Sequence, residues 1–92
     1  MSTGLRSRAS IVEVRIRLGT GIARFAPAPM LRLELPDGAT VEELYERLAA
    51  THPELAPALR SALPVVQGAH VEPRTALAHG AEVALLSPAA GG

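Results

Sequence analysis

The chain ends in Gly91 and Gly92, preceded by Ala89 and Ala90. A tail of such small residues can thread a narrow slot and present its terminal carboxylate to a reactive centre on another protein, because glycine adopts backbone angles closed to other residues. Were that carboxylate activated as a mixed anhydride, a terminal glycine would have no chiral α-carbon to scramble. At an ordinary glycine frequency of about 7%, two terminal glycines arise by chance in roughly one chain in two hundred. The tail alone therefore does not establish this chemistry, and without the preceding domain a disordered small-residue end or a cloning remnant is the better explanation.

Other constellations carry less. His52, His70 and His79 lie on separate turns with no paired or helical spacing, so they read as solvated turn histidines and no metal site is expected. Glu42, Glu43 and Glu46 sit on the outer face of an amphipathic helix, where charges face water rather than share a proton. No Gly-x-Ser-x-Gly elbow accompanies the single aspartate, Asp37, and no catalytic residue is assigned. The pair Gly19-x-Gly21 lacks the third glycine and the helix of a dinucleotide fingerprint, because Arg24 and then Pro27 follow, so it reads as a loop. All nine basic residues are arginine, which leaves no lysine for a Walker-type phosphate loop.

The elements that would position the tail are legible from periodicity. From Ile11, Val12, Val14, Ile16 and Leu18 alternate with Glu13, Arg15 and Arg17, the pattern of a half-buried strand. A break at Gly19-Thr20-Gly21 leads to a short turn over Ile22 to Ala26, with Phe25 read as a plug beneath the long loop. A second alternating strand, Met30 to Leu35, ends at Pro36-Asp37-Gly38, and the two strands form a long-looped hairpin. Thr40 and Glu43 then have the spacing of a capping box, which starts a helix at Val41. Val41, Leu44, Tyr45, Leu48 and Ala49 share one helical face, and His52-Pro53 ends the helix.

A second short helical piece is expected over Pro57 to Leu63, stopped by Pro64. Val65 and Val66 form a short strand into the turn Gln67 to His70, with Val71 resuming on the far side, and Glu82 to Leu86 is the last strand. This order predicts an α+β fold with one main helix crossing one face of a mixed sheet. Residues 1–10 are expected to be a disordered N-terminal segment, 11–86 the domain and 87–92 a mobile C-terminal tail.

At 92 residues the chain makes one domain, and 48% hydrophobic residues suffice for a core. Nine basic against nine acidic residues provide no overall positive field, and one Tyr with one Phe provide no stacking platform, so no nucleic-acid partner is expected. Without a cysteine the chain makes no disulfide and no thiolate nucleophile. No run reaches the roughly 18 apolar residues of a membrane span. The expectation is a soluble cytoplasmic protein with no membrane partner.

The stretch Leu35-Pro36-Asp37-Gly38-Ala39-Thr40-Val41-Glu42-Glu43-Leu44, the turn Val66-Gln67-Gly68, and the run from Gly80 through Glu82 to Gly92 together resemble the MoaD/ThiS family of ubiquitin-like sulfur carriers, over about Val12 to Gly92. The fold this implies is a β-grasp with a flexible Gly-Gly tail. Gln67 replaces a common asparagine, and His79 and Ala81 replace acidic residues that often flank Gly80. Leu85, Leu86, Ser87 and Ala89 depart from bulkier or prolyl residues of many molybdopterin synthase small subunits, which leaves the acceptor open.

The resemblance implies a carrier rather than an enzyme. The Gly92 carboxylate would be adenylated by an E1-like adenylyltransferase with ATP and Mg2+, then converted to a thiocarboxylate by a sulfurtransferase or other sulfur donor. It would deliver sulfur to an acceptor such as a molybdopterin synthase large subunit or thiazole synthase, or in a cysteine or secondary-metabolite pathway. No cofactor would be bound permanently. Ala89, Ala90 and Gly91 would thread the partner's active site, and Leu86 and Pro88 are the docking candidates. A ubiquitin-like modifier conjugated through Gly92 and a non-catalytic interaction module are the alternatives.

Overall fold

The computed structural model describes residues 11–87. The expectations for residues 1–10 and for Pro88 to Gly92 lie outside them. Strand β1 (Ile11–Leu18) buries Val12, Val14, Ile16 and Leu18 and exposes the alternate side, as its period-2 pattern dictates. Strand β2 (Met30–Pro36) pairs antiparallel with it in the register Val14↔Leu33 and Ile16↔Leu31, which brings the two apolar rows onto one face. Between them lies helix α1 (Thr20–Ala23), one turn long and displaced from the expected Ile22 to Ala26, because Ile22 is the residue the core takes. Phe25 is not a plug. It is 48% exposed, with the Arg24 guanidinium 5.1 Å from its ring centre.

Helix α2 (Val41–Thr51) begins as its capping signal requires. The Glu43 amide donates to Thr40 Oγ1 at 3.3 Å and the Thr40 amide to Glu43 Oε1 at 2.9 Å, satisfying donors that a helix start leaves open. Val41, Leu44 and Leu48 are buried against the sheet, and full burial of a leucine contributes about 2 kcal/mol. Beyond the helix, the expected second piece is shorter and earlier than Pro57 to Leu63. A 3₁₀ turn (Pro53–Leu55) runs into helix α3 (Ala56–Leu59), which places Leu55 and Leu59 in the core.

Leu63 belongs instead to strand β3 (Leu63–Val66), and Pro64 sits within that strand rather than stopping a helix. Its backbone faces the short strand β4 (Ala69–His70), where the Val71 amide donates to the Pro64 carbonyl at 3.1 Å. Proline has no N–H to return to Val71. The ladder therefore ends at Val65↔His70, and Val71 does not resume the strand. Strand β5 (Glu82–Leu86) completes a five-stranded sheet of order β2-β1-β5-β3-β4, parallel to β1 and antiparallel to β3. One side of this mixed sheet carries α2, and the opposite side is open to solvent.

Candidate functional site

The chain leaves the domain through β5, the central strand. Ser87 follows it, exposed and outside any element. Burial of Val83 and Leu85 anchors β5, and the parallel pairing Leu18↔Leu85 puts its end beside the end of β1. There the Gly19 amide donates to the Leu85 carbonyl at 2.8 Å, extending the ladder past Leu18. A Cβ on Gly19 would lie 3.2 Å from that same carbonyl oxygen, and one on Gly21 would lie 3.2 Å from Ser87 Cβ. The Gly19-x-Gly21 pair is thus a loop, as its spacing indicates, and the missing side chains let that loop close against the last residues before the tail.

Around the exit, side chains pointing away from α2 form a mixed surface. Leu86 is 41% exposed and pairs across the strands with Leu63, 39% exposed. One row back run Met30, Arg17, Ala84, Val65 and His70, aligned by successive pairings. Arg17 donates to Glu82 at 2.8 Å, and Arg15 approaches the other oxygen of that carboxylate at 3.9 Å. The docking candidate Leu86 is therefore exposed beside the exit, whereas Pro88, Ala89, Ala90, Gly91 and Gly92 lie outside the described residues. Sequence reasoning missed Leu63 and Met30 at this surface. Leu63 was assigned to a helix, and only the register of β3 on β5 reveals that it adjoins Leu86.

The histidines do not converge, and among the described residues no three acidic or histidine side chains group as metal ligands. His79 is more than a solvated turn residue, since its Nδ1 accepts the Glu13 amide at 3.0 Å. His52 lies 3.6 Å from Glu54 at the end of α2. On the helix side, an open groove of about 860 Å³ runs past Tyr45, Leu59, Ala62, Pro64 and Val71. Tyr45 donates its hydroxyl to the Ala62 carbonyl at 2.9 Å, and burial pushes its pKa up from 10.0 to about 12. That group holds α2 to the segment before β3 and offers no acid or base near neutrality. No helix among the described residues is long and apolar enough to cross a membrane.

The sheet order, the helix across one face and the tail-bearing central strand define a ubiquitin-like β-grasp protein. The chain belongs to the ThiS family, whose model matches residues 22–92. It is similar in structure to small archaeal modifier protein 1 of Haloferax volcanii, with a TM-score of 0.75 at 24% identity over 87% of this chain and 99% of that one. A Pyrococcus furiosus protein described as molybdopterin converting factor subunit 1 aligns with a TM-score of 0.76 at 22% identity, over 84% of this chain and 98% of that one. Ubiquitin of Caldiarchaeum subterraneum aligns with a TM-score of 0.62 at 17% identity, covering 89% and 99%. No curated protein matches the sequence.

Proposed function

We propose that the chain is a sulfur carrier that works through its C-terminus and does no catalysis of its own. The observation that carries this reading is the end of β5: the central strand, anchored by buried Val83 and Leu85, ends at exposed Leu86, and the sequence that follows it is a short run of small residues finishing in Gly91-Gly92. Membership of the ThiS family supports it, as does the likeness to a protein described as molybdopterin converting factor subunit 1. In the proposed cycle an E1-like adenylyltransferase uses ATP and Mg2+ to form an acyl-adenylate at Gly92, releasing pyrophosphate. Sulfur from a donor attacks the acyl carbon and AMP leaves. Hydrosulfide gives the thiocarboxylate directly, whereas the persulfide of a sulfurtransferase gives an acyl disulfide whose S–S bond a second thiol reduces to release the thiocarboxylate. Ala89, Ala90 and Gly91 thread the tail into the partner, while Leu86 and Pro88 seat the domain. The acceptor is then an enzyme of a molybdopterin, thiazole or related sulfur-requiring pathway.

The test is intact and tail-fragment mass spectrometry after incubation with an E1-like enzyme, ATP and a sulfur source. Replacing oxygen by sulfur adds about 16 Da, as does methionine oxidation, so the gain must map to Gly92 and be trapped by alkylation. A trappable gain there supports the carrier. If no cognate activating enzyme yields an adenylate or thiocarboxylate, the domain functions as an interaction module instead. The second reading, a modifier joined to other proteins through Gly92, draws on the likeness to small archaeal modifier protein 1. Isopeptide adducts ending in Gly92 in cell extract are its signature. Lysine-linked chains of this protein on itself are excluded, because it contains no lysine.

A further inference from the structure

The solvent-facing side of the sheet is ordered in rows of like charge. Glu13 pairs directly with Glu34 across β1 and β2, and in the next row Arg15 pairs directly with Arg32. Partners in an antiparallel pair lie about 5 Å apart, and successive rows on one face about 7 Å. Like charges directly opposite each other destabilise a sheet. The arginines are also poorly served by acids within the chain. Glu82, beside Arg15 on β5, contacts both Arg15 and Arg17, while among the described residues Arg32 makes no ion pair and neither the Glu13 nor the Glu34 carboxylate pairs with an arginine, Arg47 meeting only the Glu34 backbone carbonyl at 3.4 Å. Among the described residues Arg15 and Arg17 thus share a single carboxylate and Arg32 has none.

Their placement gives the patch a direction. Because β1 and β5 are parallel, the arginine row adjoins the exposed Met30, Leu63 and Leu86 at the end from which the tail departs, and the glutamate row lies at the far end. A partner that takes the tail must cover this apolar end, and the first charges it then meets are the three arginines and the one carboxylate among them, Glu82.

Resting on the carrier reading above, we propose that Arg15, Arg17 and Arg32 dock an acidic surface of the protein that receives the tail, with a partner carboxylate seated between Arg15 and Arg32. Guanidinium groups suit this role because each can grip a carboxylate with two hydrogen bonds. The Glu13–Glu34 row repels the same acidic surface, so the partner is held at the tail end and cannot slide along the strands or bind reversed.

Two measurements test this. In the first, a deca-glutamate peptide is titrated at low salt into the full chain, and the backbone amide and arginine Nε–H resonances are followed by NMR. Shifts are expected at Arg15, Arg17 and Arg32, absent in Arg32→Glu and retained in Arg60→Glu, which alters a cation on the opposite groove. In the second, ATP–pyrophosphate exchange by the E1-like enzyme from the same genome is measured against carrier concentration. Arg32→Glu is expected to raise KM about tenfold at unchanged kcat, and wild-type KM to rise with salt more steeply than that of the variant. Arg32 is exposed, so Arg32→Glu should keep a wild-type or higher melting temperature, and Arg32→Lys, which keeps the charge, should recover part of the loss.

Peptide shifts centred on Arg60 and Arg74, or an unchanged KM in Arg32→Glu, overturn the proposal. So does a concentration-dependent dimer in sedimentation that Arg32→Glu abolishes, because the face then belongs to a second copy of the chain. If the wild-type chain supports no exchange while the peptide still maps to the three arginines, the carrier reading fails and the acidic docking face stands.

Discussion

The imidazole of His79 accepts the backbone amide of Glu13 through Nδ1 at 3.0 Å, and the next residue, Gly80, donates its amide to the Glu13 carbonyl at 2.7 Å. Glu13 faces the β5 side of β1 at a level where β5 has not yet begun, since the ladder opens with Arg15 donating to Ala81. One side chain and one backbone amide therefore stand in for a missing strand. The bond requires the tautomer with its proton on Nε2, which leaves Nδ1 free to accept. His79→Ala should cost about 1 kcal/mol in urea unfolding and speed exchange of the Glu13 amide hydrogen. Unchanged exchange at Glu13 would show that the imidazole bond is not maintained in solution.

Tyr45 provides the pH dependence. Its pKa is pushed up from 10.0 to about 12 by burial, so the folded chain favours the neutral phenol. The resulting stability is fully present below pH 10 and is lost as pH rises from about 10 towards 12. Thermal melts in that window should fall for the wild type and flatten for Tyr45→Phe. At neutral pH the same substitution should cost about 1 kcal/mol through loss of the bond to Ala62. Parallel alkaline profiles for the two proteins would contradict this assignment.

Gly19 is where the tail exit is most sensitive to added bulk. A Cβ there meets the Leu85 carbonyl oxygen at 3.2 Å, and that oxygen is fixed by its bond to the Gly19 amide. Gly19→Ala is expected to cost about 1 to 2 kcal/mol, and Gly19→Val more. Gly21→Ala meets only the Ser87 side chain at the start of the tail, so it should cost less. Equal stability of Gly19→Ala and Gly21→Ala in chemical denaturation would remove the distinction.

The β3–β4 turn offers a stabilising change. Gln67 and Gly68 have φ of 54° and 79°, which makes the two-residue loop between Val66 and Ala69 a type I′ turn. Glutamine is strained in this left-handed region, where asparagine and glycine are at ease. Gln67→Asn should raise the melting temperature, with a gain of about 0.5 to 1 kcal/mol. Calorimetry showing a lower melting temperature would indicate that Gln67 makes a contact more valuable than the strain it carries.

Local rules written in the sequence determined a good part of this protein. Alternation over Ile11 to Leu18 and Glu82 to Leu86 named the inward residues of both strands, because a side-chain period of two leaves one choice of face once one row is apolar. The Thr40 and Glu43 pair placed the start of α2, because a capping box is a contact between residues three apart and needs no tertiary partner. Composition set the absence of thiols and of lysine, so the chain can carry no cysteine persulfide and no lysine-linked copy of itself.

Tertiary structure decided what depends on register between distant segments. Phe25 went to the surface because Ile22 filled the core position, and Leu63 left the expected helix because β5 offered a ladder that a short helical piece could not match. The juxtaposition of Leu63 with Leu86, the alignment of Arg15 with Arg32 and the reach of His79 to Glu13 join residues between 17 and 66 positions apart. Such contacts arise only when strands pair, because hydrogen bonding between backbones, and not the order of residues along the chain, fixes which side chains become neighbours.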